Sequence, residues 1–380
     1  MGDATSAPID LTRATPPVSS IVNQHLQSAM QAIAQRHDLH FLLRSNRIGG
    51  NEGDCDLAGR WLTERLGYRP PVERLVVGNG TQNLLAMALR HTAVTNVLLA
   101  EELTHPLVPP IATELGVTVV PVAIDADGII PEAFEAACRQ FPHAPLYCNP
   151  TGHNPTASVM PFDRRQRIVE IARCYGRYII EDDVLGSLRP VDPRPVASAG
   201  PDRVWYLQTL SKCIGLGMRV AYLVLPDDLS RHDIVGPVAM RSSWFASALS
   251  LEIANYLFET GRFAAVAAAM AAVAERRRQQ AVTGLQAWKL GSCAGALHVW
   301  LGLPLGCGSQ LFADRCRKAG VLVRPGPLFR ARDGKTLPDI CAARIALTAP
   351  VKDEDFQLGI ERVAAVLNTL MSEVPHCSQE

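Results

Sequence analysis

The sequence predicts an α/β protein: a mainly parallel sheet flanked by helices, followed by a smaller α+β domain. Three observations carry this. Short β-rich runs alternate with helical patterns from about residue 74 to 226, the alternation of a sheet covered on both faces. The polar, chemistry-bearing segments fall just after those runs, where such sheets bind ligands. The 380 residues are also enough for one large or two medium units with real cores.

Residues 75–77 form the first run and lead through a Gly78-Asn79-Gly80 turn into an apolar helix from Thr81. The run 97–100 precedes a helix after Pro106. Runs at 117–124, 146–148, 178–180, 204–207 and 220–225 continue the strand series, each short and rich in apolar residues. Residues 250–285 predict one or two long helices, with Arg276-Arg277-Arg278 as a solvated helix end. Strands at 296–303, 321–324 and 343–347 then build the small domain. The expected division is an N-terminal arm and helix (1–45, packing with the small domain), a large domain (46–280) and a small domain (281–380).

Composition excludes several functions. Lys+Arg and Asp+Glu are both 37, a balance that gives no support for nucleic-acid or membrane-surface binding. The apolar run 263–274 is bounded by Arg262 and Glu275 and is too short to span a bilayer. No secretory leader is expected, because the N-terminus lacks a basic region followed by an apolar stretch. Ten cysteines without a C-x-x-C pair predict reduced thiols in a cytoplasm. Ten histidines without metal spacing predict no metal site.

Lys212 is the decisive residue. It sits in Thr209-Leu210-Ser211-Lys212, between two strand runs and upstream of Arg219. Two hydroxyls and a guanidinium can hold a dianion, and an amine beside a phosphate site suits a Schiff base to pyridoxal phosphate. A hydroxyl-rich turn with a solvated lysine explains the segment alone equally well; the neighbours decide. Gly80-Thr81-Gln82 opens a helix whose amides can hold a phosphate. Asn154, in a proline-locked loop, can aim an amide at a ring hydroxyl. Asp182, after the run 178–180, can keep a pyridine nitrogen protonated, although Glu181-Asp182-Asp183 also reads as a helix cap. Arg344 can take a substrate carboxylate, or a structural ion pair.

Together these segments resemble the fold-type I, pyridoxal-phosphate-dependent aminotransferases of class I and II, especially the branch found fused to GntR-type regulators. The lysine motif is Thr209 to Arg219, the loop motif Pro150-Thr151-Gly152-His153-Asn154-Pro155-Thr156, and the strand-end motif Glu181-Asp182-Asp183. Ala294-Gly295-Ala296-Leu297-His298-Val299-Trp300 and Val323-Arg324-Pro325-Gly326 match later elements in part. The resemblance implies a seven-stranded mixed sheet, an amino-acid-type substrate and a homodimer. It makes Lys212 the Schiff-base lysine, Asp182 the pyridinium partner and Asn154 the ring-hydroxyl partner. Gly80, Thr81, Gln82, Thr209, Ser211 and Arg219 would hold the phosphate, and Arg344 the substrate α-carboxylate.

The chain departs from the pattern in three places. Val184 and Leu185 stand where a tyrosine usually shares the ring hydroxyl, Ile48 stands in a region that usually carries another, and His105 replaces the aromatic residue that stacks on the ring. His105 is expected to be a flat ring or a proton donor. Transamination leads; a lyase or a decarboxylating or oxidative deaminase, such as one eliminating an S-conjugated cysteine, is the alternative. An NAD-binding oxidoreductase is a remote one, because the third glycine of that fingerprint is Asn83.

Overall fold

In the computed structural model, residues 7–44, 46–304, 306–332 and 338–373 are described. The large sheet has seven strands, ordered Thr118–Val122, Val97–Glu101, Leu146–Cys148, Ile179–Asp182, Val204–Thr209, Val220–Val224, Leu75–Asn79. The first five pair in parallel; Val220–Val224 runs antiparallel to both of its neighbours. The sheet is therefore mixed and mainly parallel, as the sequence predicts.

The pleat explains why these runs are apolar throughout. Successive side chains point to opposite faces, and each face has its own helical cover. Val77, Leu99, Ile179 and Tyr206 pack into one core with the helices Glu52–Leu66, Pro131–Gln140 and Phe162–Cys174. Val76, Leu98, Ile180 and Trp205 pack into a second core with Thr81–Thr92 and Val108–Glu114. A third core lies under the small antiparallel sheet, ordered Leu290–Gly291, His298–Gly302, Ala342–Ala346, Arg324–Pro325. The N-terminal strand Ile9–Asp10 pairs with Val321–Leu322, and Leu11 joins that third core. The helix Ser20–Ala34 instead buries Val22, Ala29 and Ile33 in the first core.

Several expected elements divide. The run 117–124 yields Thr118–Val122 on the sheet edge and a separate hairpin, Ile124–Asp125 with Gly128–Ile129. The run 321–324 yields two short strands with different partners, since Pro325 has no N–H to extend the ladder. Gly261 breaks 250–285 in the left-handed region at φ 65°, giving the helices Ala248–Glu259 and Arg262–Gly284, with Ser242–Glu259 bent by 94° from Arg262–Gly284. Among the described residues no single helix is long and apolar enough to cross a membrane.

The arginine triplet is also not a solvated helix end. It lies inside Arg262–Gly284, and Arg277 is buried. Its guanidinium donates to Asp353 Oδ1 at 2.9 Å and to the carbonyls of Leu347, Pro350 and Val351 at 3.1, 2.7 and 3.2 Å. A helical period cannot distinguish an arginine that neutralises the chain turn beneath it from one in water. Removing it strands three carbonyls, so Arg277→Ala is expected to cost about 3 kcal/mol of unfolding free energy, and the neighbouring Arg278→Ala about 0.5 kcal/mol or less. Denaturant unfolding with an unchanged m-value measures both.

Candidate active site

A cleft of about 330 Å³ opens at the C-terminal ends of the parallel strands, and every site residue singled out in the sequence, from Gly80 to Arg344, lines it. At the end of the strand Ile179–Asp182 the pleat divides three consecutive carboxylates, Glu181, Asp182 and Asp183. Glu181 points away from the cleft and accepts the backbone N–H groups of Val196 and Ala197, both at 2.9 Å, at the start of a distant short helix whose own N-cap is Pro195. Asp183 is held by Arg65 at 2.9 Å and by the Tyr206 hydroxyl at 2.8 Å. Asp182 alone faces the cleft. Tyr147 pairs in register with Ile180, which puts it on the same face as Asp182, and its hydroxyl donates to Asp182 Oδ2 at 2.7 Å. Asp182 Oδ1 is buried with no partner among the described residues. Burial raises the Asp182 pKa to about 6, and the Tyr147 hydrogen bond opposes that rise.

Lys212 reaches the cleft across from this carboxylate. Burial, and after it the Arg344 charge, push its amine down to about 8, while Asp182 pulls it up. A buried amine near neutrality is a nucleophile and a base. Its Nζ donates to the Ala14 carbonyl at 2.8 Å. Arg344 donates to Asn154 Oδ1 at 2.8 Å and to the Thr12 carbonyl at 2.6 Å, with its guanidinium 4.9 Å over the Phe329 ring. Its Nε is buried without a partner among the described residues. The segment 12–15 therefore lies over the cleft as a strap, pinned where the Ala346 N–H donates to the Leu11 carbonyl at 2.8 Å. Asn154 is itself positioned by Asn149, whose Oδ1 accepts the Asn154 N–H at 2.8 Å and whose Nδ2 donates to the Asp182 carbonyl at 2.5 Å.

At the other end Gly80 has φ 82°, and a Cβ on it would stand 2.9 Å from Arg219 Cζ. Only glycine leaves this space between the helix start at Thr81 and the guanidinium. Arg219 is exposed and donates to Asn79 O at 3.1 Å and Oδ1 at 3.3 Å. Thr81, Gln82 and Ser211 line the same end. The Thr209 hydroxyl is committed to the turn, donating to the Val220 carbonyl at 3.0 Å and accepting the Ser211 N–H at 3.1 Å.

His105 stands on the cleft wall with Nδ1 accepting the Leu107 N–H at 3.1 Å. Burial and the charges of Lys212, Arg344 and Arg324 lower its pKa to about 3. The ring is therefore neutral, and with Nδ1 accepting it carries its proton on Nε2. Leu185 is buried on the cleft wall, and Ile48 packs against the second core.

A profile of the family described as aminotransferase class I and II matches residues 20–363. The chain belongs to this family. An uncharacterised HTH-type transcriptional regulator of Bacillus subtilis, YdeF, is 25% identical over 81% of this chain and 66% of its own length. The aminotransferase tdiD of Emericella nidulans is 26% identical, over 77% of this chain and 72% of its own. The chain thus spans about two-thirds of the length of such relatives, and 53% of a second Bacillus regulator. The kynurenine aminotransferase of Pyrococcus horikoshii shares the fold, with TM-score 0.84 and 20% identity over 97% of this chain and 92% of that one.

Family membership implies pyridoxal phosphate, and the residues present fit it. The cofactor brings one dianion, one basic ring nitrogen and one aldehyde. The cleft offers a glycine-lined space beside Arg219 and a helix start, an unpartnered buried oxygen on Asp182, and the Lys212 amine. Sequence reasoning missed Tyr147, Asn149 and the strap. Tyr147 reads as core in an apolar strand, and only the strand pairing reveals its partner. His298 was visible as a motif residue without a task; it lines the cleft, buried, and its Nε2–H donates to the His153 carbonyl at 3.1 Å. Burial lowers its pKa to about 3, so its neutral form stabilises the fold above the unfolded value of about 6.5, and that contribution is lost as pH falls toward 3. The unfolding free energy of the wild type is expected to drop more steeply than that of His298→Asn over this window. Parallel profiles in denaturant titrations would refute this assignment.

Proposed function

We propose that the chain is a pyridoxal-phosphate-dependent aminotransferase acting on an amino acid or amino-acid conjugate. The observation that carries the reading is the single cleft in which a near-neutral amine (Lys212), a buried carboxylate with a free oxygen (Asp182) and a buried guanidinium (Arg344) meet. When bound, pyridoxal phosphate supplies an electron sink for the substrate Cα.

The chain's own residues take the remaining tasks. Gly80, Thr81, Gln82, Ser211 and Arg219 bind the phosphate, with Thr209 fixing the turn that presents Ser211. Asp182 holds a proton on the ring nitrogen, steadied by Tyr147. Asn154 would hold the ring hydroxyl, and His105, on the cleft wall, would pack against the ring. Lys212 Nζ would hold the aldehyde carbon and, once displaced there by the substrate amine, would move a proton at the substrate Cα. Arg344 binds the α-carboxylate, which must displace the Thr12 carbonyl. In this reading the large domain (46–280) holds the cofactor, the small domain (281–380) supplies Arg344, and a homodimer covers the phosphate end, where Leu216 and Arg219 are exposed.

Purified protein loaded with pyridoxal phosphate and given a panel of amino acids is expected to convert to the pyridoxamine form. A 2-oxo acid should appear in equal amount, without ammonia. Release of ammonia, a thiol or carbon dioxide, with the aldehyde form regenerated, would replace transamination by a lyase or deaminase reaction.

A further inference from the structure

The cleft is strongly unbalanced in charge. Arg13, Lys212, Arg219, Arg324 and Arg344 line it, against the single carboxylate of Asp182. Binding of the cofactor phosphate would engage Arg219, and its aldehyde Lys212. One substrate carboxylate would engage Arg344. Arg13 and Arg324 are left over, and of these Arg13 is exposed on the strap while Arg324 is half-buried.

Its position is not that of a solvated surface charge. Arg324–Pro325 pairs antiparallel with Ala342–Ala346, and Arg324 stands directly opposite Arg344. Residues directly opposite in an antiparallel pair share a face, with Cβ atoms roughly 5 Å apart, and like charges there are destabilising. Arg324 is only half-buried and lines the cleft. Neither arginine forms an ion pair with a carboxylate among the described residues. The repulsion is felt at Arg344, whose pKa falls to about 9 through burial and then through Arg324. Two facing cations without an acid between them form a site for an anion, and the buried, unpartnered Arg344 Nε points to the same conclusion.

We propose that Arg324 is a specificity residue that binds a second anionic group, carboxylate or phosphate, on the substrate, so that the cleft selects dianionic amino or 2-oxo acids over singly charged ones. The inference rests on the aminotransferase reading only for the role of Arg344, and it concerns binding. The strap supports it: Arg13, exposed beside Thr12, brings a further cation to the same cleft mouth. Neutral and apolar side chains gain nothing from a guanidinium that they would have to desolvate.

The test is calorimetric binding of unreactive ligands to the cofactor-loaded protein. Succinate, glutarate and adipate are each compared with their monoamides, which keep size and lose one charge; 3-phosphonopropionate replaces the second carboxylate by a phosphate-like group. At least one diacid is expected to bind about tenfold tighter than its monoamide. A preference for the phosphonate over every diacid assigns the second anion as a phosphate. Arg324→Gln should bring the diacid-to-monoamide ratio close to one, and Arg324→Lys should keep part of it. Diacids and monoamides binding equally to the wild type would overturn the proposal without any variant. Arg324→Gln weakening both ligand types equally would also overturn it, by making Arg324 a second clamp on the first carboxylate. Because binding is read directly, a diacid preference without any amino transfer would leave the anion site standing and remove the reaction assigned above.

Discussion

The pleat at the end of the strand Ile179–Asp182 is the constraint on which the rest depends. Three consecutive carboxylates at the edge of an apolar sheet would repel one another and resist burial. Alternation separates them, and each meets a different environment. Glu181 and Asp183 turn toward the first core, where Arg165, at 3.7 Å from Glu181, and Arg65 neutralise them. Asp182 turns toward the cleft and meets only the Tyr147 hydroxyl. A one-residue slip of this strand would exchange those faces, burying two carboxylates in the cleft and leaving two arginines stranded in the core.

That arrangement sets the electrostatics of the cleft. The two structural acids are fully paired, so they do not cancel the cations on the other face. Asp182 is the lone acid against five cationic side chains, which favours anionic ligands. Burial first, and the neighbouring cations after it, depress the basicity of Lys212, Arg344 and His105. Charge, more than shape, distinguishes this cleft.

The residues legible in the sequence were those whose partners lie within a few positions. Gly80 before a helix, Lys212 after a strand and Asp182 at a strand end announce themselves through local geometry, and their order along the chain gave the family. Residues whose meaning depends on distant pairing were not legible. Tyr147 meets Asp182 only through strand register. Thr12 meets Arg344 across 332 positions. Arg277 resembles its solvated neighbours until the turn after Leu347 folds over it. Arg324 was visible inside a motif, yet its charge acquired significance only when the short strand at Arg324–Pro325 placed it opposite Arg344.

The central claim is that Lys212 carries the cofactor. The chain has five lysines, Lys212, Lys289, Lys318, Lys335 and Lys352, and among the described residues Lys212 alone lines the cleft. Borohydride reduction of the cofactor-loaded protein, followed by peptide mass mapping, separates them. The account predicts one phosphopyridoxyl group per chain, on the peptide containing Lys212. Labelling spread over the other lysines, or no labelling, would contradict it.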